Sequence, residues 1–74
     1  MNTLEKFGYI LKKIRIQKNI SQELLAEKSG LHRTYISSLE RGHRNPTLLT
    51  MKEISRALNL NLSTIILKIE NNDE

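Results

Sequence analysis

The sequence predicts an all-α domain of five helices, and three observations carry that prediction. Apolar residues recur at spacings of three and four along almost the whole chain, with no alternating stretch of strand type. Residues that start and stop helices punctuate this pattern at short intervals: Asn19, Ser21, Gly30, Gly42, Pro46 and Asn61. Seventy-four residues suffice for one domain, taken as 1–74, that buries only about 60% of the surface its unfolded chain exposes, so its core must be helical, small and economical.

Leu4, Phe7, Leu11 and Ile14 alternate with Glu5, Lys6, Lys12, Lys13 and Lys18, predicting an amphipathic first helix from about Thr3 to Lys18. Asn19 tolerates the left-handed conformation that closes many helices. Ser21 is a good N-cap, since its hydroxyl can accept from a free amide of the next turn, and a second helix follows over Gln22 to Lys28. Gly30 permits a sharp turn, and a third helix opens at His32 or its neighbour, runs to about Arg41 and stops at Gly42. A polar connector, Gly42 to Pro46, precedes a fourth helix with Leu48, Met51, Ile54 and Leu58 as its inward stripe. Asn61 is placed to cap a last short helix over Leu62 to about Glu70, leaving Asn71 to Glu74 as a frayed tail.

Composition narrows the function. The chain has no cysteine, so it has neither a disulfide framework nor a thiolate metal site, and a reducing cytoplasm is the expected compartment. His32 and His43 are too few to hold a metal, so no cofactor is expected. No run approaches the roughly 18 apolar residues of a membrane span, and Lys6, Lys12 and Lys13 interrupt any signal-peptide core, so no membrane partner is expected either. Eleven of the twelve Lys and Arg residues lie at or before Arg56, against five of the eight acids. The bulk of the chain is thus basic and its end slightly acidic, the asymmetry of a protein that meets phosphates with one part.

Residues Gln22 to Arg41 supply the geometry such a role needs. Ala26 sits where the second and third helices meet, Gly30 sits at the turn, and Leu25, Leu31, Ile36 and Leu39 anchor the inward faces. This is the pattern of a helix-turn-helix, in which the second helix of the pair enters the DNA major groove. Arg33 offers a planar fork for guanine O6 and N7; Thr34 can touch a thymine methyl; Ser37 and Ser38 are short enough to let the backbone approach the bases. Tyr35, Arg44 and Asn45 are placed to meet the phosphate backbone, and Gln22, with the free amides of its helix start, reads as a phosphate clamp. Arg15 and Glu40 are expected to form a partly buried ion pair that fixes the angle of the reading helix. Leu60, Leu62, Ile65, Ile66 and Ile69, with Leu67 among them, carry more apolar surface than one small core absorbs. They predict a homodimer that sets two reading helices about 34–36 Å apart, one turn of DNA.

With those residues in view, the chain resembles the Xre and Cro/C1-type helix-turn-helix regulators over nearly its whole length, and the resemblance implies their lambda-repressor-like fold. In that family the arginine before the motif, here Arg15, pairs with the glutamate ending the reading helix, here Glu40, and the opening glutamine, here Gln22, binds phosphate. The stretch HRTYISSLERGHRNPTL, from His32 to Leu48, resembles the controller proteins of restriction-modification systems. That resemblance implies a small all-helical homodimer acting on palindromic operators, with Arg33 and Thr34 reading bases and Tyr35, Arg44 and Asn45 on the backbone. It also implies activation from one bound dimer, repression from two, and a contact with RNA polymerase. Asn19 stands where the family commonly has a glycine.

Three other readings compete. A phage-type or developmental repressor of the same family differs only in its target genes. An antitoxin-like protein-binding module needs a segment to wrap its partner, and only Asn71 to Glu74 follow the last helix. An enzyme is not expected, because Ser37, Ser38, His32 and Glu40 share one helix with no second element to complete a reacting constellation.

Overall fold

The structure, a computed structural model, describes residues 1–71 and contains five α-helices: α1 (Thr3–Gln17), α2 (Gln22–Ser29), α3 (Arg33–Glu40), α4 (Leu48–Ala57) and α5 (Leu62–Asn71). No strand occurs among the described residues. Asn71, predicted to open a frayed tail, is instead the last residue of α5, and the rest of that predicted tail, residues 72–74, lies outside the described part.

Local chemistry sets most helix ends. Asn2 caps α1 in a reciprocal box: its side chain accepts from the Glu5 amide at 2.8 Å, and the Glu5 carboxylate accepts from the Asn2 amide at 2.9 Å. Asn19 takes φ of 56° after the C-cap Lys18, and Ser21 caps α2 by accepting from the Leu24 amide at 3.0 Å. Thr47 caps α4 in the same way through the Thr50 amide at 3.1 Å.

The core is one cluster in which Leu11, Leu25, Ile36, Leu39, Ile54, Leu58 and Ile65 are essentially inaccessible, with Phe7, Ile10, Ile14 and Ala26 beside them. α1 packs against α3 and α5, α2 against α3 and α4, and α4 against α5. Thus α3 is held by α1 and α2 while its other side stays open. Gly8 makes the α1–α3 crossing possible: a Cβ there would stand 2.3 Å from the Leu39 carbonyl oxygen and 2.7 Å from that of Glu40. Gly42, with φ of 77°, lets the chain leave α3 against Glu5, whose Cγ would be 2.8 Å from any added Cβ.

Two sequence expectations are corrected. Leu48 does not join the inward stripe of α4; it is 72% exposed beside Leu49 at 71%, because the first turn of α4 projects past the core. Ile65 is not free to meet a partner, being only 1% exposed within the chain's own core, and Leu60 and Ile69 pack against that core as well. Of the apolar residues in α5, Ile66 and Leu67 are the exposed ones, at 38% and 58%. No helix among the described residues is long and apolar enough to cross a membrane.

Candidate nucleic-acid interface

The α2–turn–α3 unit is fixed from three sides. At the turn, Gly30 adopts φ of 75° and the Leu31 amide donates to the Ala26 carbonyl at 3.0 Å, which closes α2 and redirects the chain. From α4, Arg56 Nη2 donates to the Lys28 carbonyl at 3.2 Å while holding Glu53 at 2.7 Å, a brace on the last turn of α2. From α1, Arg15 reaches the end of α3.

That last link is the most elaborate polar arrangement among the described residues. Arg15 Nε donates to Glu40 Oε2 at 2.6 Å and Nη2 donates to Oε1 at 3.1 Å, a bidentate fork, while Nη1 donates to the Ile20 carbonyl at 2.8 Å. The side chains are 11% and 3% exposed, so the pair is buried and the guanidinium is satisfied on three of its donors. Glu40 Oε1 accepts a further bond from Gln22 Nε2 at 3.0 Å, and Gln22 Oε1 in turn accepts from Arg33 Nη1 at 3.3 Å. A continuous chain of contacts therefore runs from α1 through Glu40 and Gln22 to Arg33, whose Nε also stands 3.8 Å from Glu23. The free phosphate clamp expected at Gln22 has a different setting here: both ends of its amide are engaged by protein groups.

The exposed side of α3 brings together most of the residues singled out in the sequence. Arg33 and Thr34 are exposed at its start, and Ser37 and Ser38 are half-buried one turn on. Tyr35 is half-buried against the core, and the Arg44 guanidinium lies 5.7 Å from the centre of its ring, so the loop after α3 is tied back to the helix by a cation–π contact. Asn45 is exposed in the same loop. The site thus offers exposed donors and cations along the open side of one helix and the loop after it, which suits a groove in a polyanion. No group of three or more His, Cys, Asp or Glu side chains is placed to hold a metal among the described residues.

Sequence reasoning missed three contributors. Gly8 carried no signal of its own, since only the approach of α3 explains a glycine inside α1. Arg56 entered the sequence reading only through the charge count. Arg41 was treated as the end of a helix, yet its Nη1 donates to Ser37 Oγ at 2.8 Å and its Nη2 to Ser38 Oγ at 3.5 Å. The spacing of Thr34, Ser37, Ser38 and Arg41 was the available sign of this.

Known proteins share both sequence and shape with this arrangement. The family model described as Helix-turn-helix matches residues 11–65. Control protein C.SmaI of Serratia marcescens is 54% identical over 48 residues, covering 65% of this chain and 57% of that protein, so the chain spans little more than half of that relative. Control protein C.MunI of a Mycoplasma species is 43% identical over 72 residues, covering 95% of this chain and 97% of that protein. Among solved structures, the restriction-modification controller protein C.Esp1396I, crystallised as a tetramer in complex with its natural 35-base-pair operator, aligns with a TM-score of 0.82 at 37% identity over 96% of this chain and 99% of its own.

Proposed function

We propose that this chain, which belongs to the Helix-turn-helix family of transcriptional regulators and within it to the restriction-modification controller proteins, binds palindromic operators as a homodimer and controls a restriction-modification system as activator and autorepressor. The observation that carries the reading is α3 itself: its open side, with Arg33 and Thr34 exposed and Ser37 and Ser38 half-buried one turn on, is held at a fixed angle by the buried Arg15–Glu40 pair. Arg33 and Thr34 are the base readers at the N-terminal end of the helix, where a reading helix meets base edges. Tyr35, Arg44 and Asn45 grip phosphates beside it, and the first turn of α2 at Gln22 adds amides to the same strand. Gln22 also positions Arg33, a role that its two hydrogen bonds support.

Dimerisation is part of the proposal, and the burial pattern redistributes the residues that serve it. Ile66 and Leu67 of α5, with Leu62 at its start, are the surface left over once Ile65, Leu60 and Ile69 have met the core. Leu48 and Leu49 on α4 add further uncovered apolar surface. Activation implies a contact with RNA polymerase, and the whole process belongs to the bacterial cytoplasm. The family is one of regulators and not of enzymes.

Selecting bound sequences from a random DNA pool tests the proposal. The expected result is a twofold-symmetric consensus with half-site centres about 10–10.5 base pairs apart or a multiple of it. Arg33→Ala should relax one position in each half-site, whereas Arg44→Ala should weaken all sequences about equally. A pool with no enriched sequence would reject DNA recognition, and an asymmetric single-site consensus would reject the dimer.

A further inference from the structure

Thr34, Ser37, Ser38 and Arg41 stand at i, i+3, i+4 and i+7, so they form one stripe along the open side of α3. Arg41 is the C-cap of that helix, and side chains on a helix lean toward its N-terminus, because every Cα–Cβ bond tilts that way. The structure shows the result: the exposed Arg41 folds back so that its guanidinium rests on the hydroxyls of Ser37 at 2.8 Å and Ser38 at 3.5 Å. The charged group therefore sits at the level of the two serines, about one turn closer to the base-reading end than its own Cα. Its neighbour Glu40 is committed to Arg15, and no carboxylate lies within 4.0 Å of Arg41 among the described residues.

We propose that Arg41 is a second base-reading arginine and that Ser37 and Ser38 are positioning residues that hold its fork, in place of reading bases on their own. This inference rests on the DNA reading proposed above. An arginine carries five N–H donors, and the serines take two, leaving the others to face outward. Each serine that accepts from Arg41 keeps its own proton to donate. The guanidinium itself presents donors only, and the major-groove edge that offers two acceptors side by side is that of guanine, through O6 and N7. Holding the long side chain in place before binding removes part of the ordering cost that a free arginine would meet at the interface. Ser37 lies four residues from Arg33, a rise of about 6 Å along the helix, so the two arginines meet different base pairs.

The test is selection from a random DNA pool with the full chain, comparing wild type, Arg41→Ala, Arg41→Lys and the double variant Ser37→Ala, Ser38→Ala. Circular dichroism confirms that each variant keeps its helices. Arg41→Ala should lose a guanine preference at one position per half-site, a drop in discrimination of about 5- to 150-fold, while the position that depends on Arg33 stays intact. Arg41→Lys should lose the same preference, because an ammonium lacks the planar fork. The serine variant should blunt that position too, and adding Arg41→Ala to it should cost less than the two changes summed. Uniform weakening with an intact consensus would make Arg41 a phosphate grip and overturn the proposal, as would an unchanged consensus at full affinity. A serine variant that relaxes a different position would overturn the positioning role. A wild-type chain that selects nothing defeats the DNA reading and this inference with it, whereas a wild-type consensus indifferent to Arg41→Ala defeats this inference alone.

Discussion

Replacing Glu40 with alanine should unfold this protein far more easily than any exposed charge change. The Glu40 side chain is 3% exposed and accepts three hydrogen bonds, two from Arg15 and one from Gln22. Its loss leaves a guanidinium that is 11% exposed with one remaining partner, the Ile20 carbonyl, and leaves the Gln22 amide without its acceptor. Removing one member of a buried pair costs about 3–5 kcal/mol. The surviving bond to Ile20 argues for the lower end, about 3 kcal/mol. A chain of this length has a total stability of about 4–11 kcal/mol, so the change removes a quarter or more of it. At about 4–8 °C per kcal/mol for a domain of this size, the melting temperature should fall by about 12–24 °C.

Thermal and urea unfolding followed by circular dichroism, at one fixed protein concentration so that association contributes equally, measures this directly. The internal control is Glu53→Ala, which breaks the Glu53–Arg56 pair whose side chains are 40% and 61% exposed and should cost less than about 1 kcal/mol. Equal midpoints for the two variants would refute the reasoning. A double variant, Arg15→Met with Glu40→Leu, separates charge from packing: it should recover most of the loss, since a well-packed apolar pair matches or exceeds a buried ion pair.

Three further outcomes are expected. Gly8→Ala should lower the unfolding free energy by about 1–3 kcal/mol or more, and the urea midpoint with it, despite a gain of about 1 kcal/mol in helix propensity, because the added Cβ meets the backbone oxygens of Leu39 and Glu40; an unchanged or raised midpoint would show that the α1–α3 crossing can yield. Leu67→Glu should abolish association in sedimentation at micromolar concentration with little effect on helix content, whereas Ile65→Ala should lose about 2–5 kcal/mol of folding stability; the reverse pattern would place the partner surface elsewhere. Operator affinity should fall linearly on a double-logarithmic plot against salt, with a slope of about −0.9 for each phosphate neutralised, and Arg44→Ala should make that slope shallower by about one; a flat response would exclude a phosphate-dominated complex.

The helices and their ends were legible because their causes are local. Ser21 caps whatever follows it, Asn19 can take a positive φ without help, and the three-and-four spacing of Phe7, Leu11 and Ile14 marks a buried face whichever element covers it. Tertiary placement was legible only in part. Periodicity separates Ile65 and Ile69 from Ile66 and Leu67 on a helix of 3.6 residues per turn, so the split between core and surface in α5 was present in the sequence and was obscured by treating its apolar residues as one patch. Leu48 shows the opposite case: it lies on the right stripe, but a stripe gives direction and not depth, and the core ends before the first turn of α4.

The site divides along the same line. Residue types that suit DNA were readable at Arg33, Thr34, Tyr35 and Arg44, because donor chemistry and helix position are properties of the chain. The Arg15–Glu40 pair was also expected and is present, but which side chains hold Gln22, Arg33 and Arg41 could not be read, since it depends on atoms brought together from different helices and turns. Gln22 is the clearest example: as a helix-opening glutamine it suggests a phosphate contact, yet it stands between Glu40 and Arg33. That setting gives the buried ion pair a consequence beyond stability. Losing Glu40 frees Gln22, and freeing Gln22 unpins the arginine at the start of α3. Glu40→Ala should therefore lower discrimination at the Arg33 position even at temperatures where the variant is fully folded, while Gln22→Ala does so with little change in melting temperature. Unaltered base preference in both folded variants would confine the network to holding the fold and remove it from recognition.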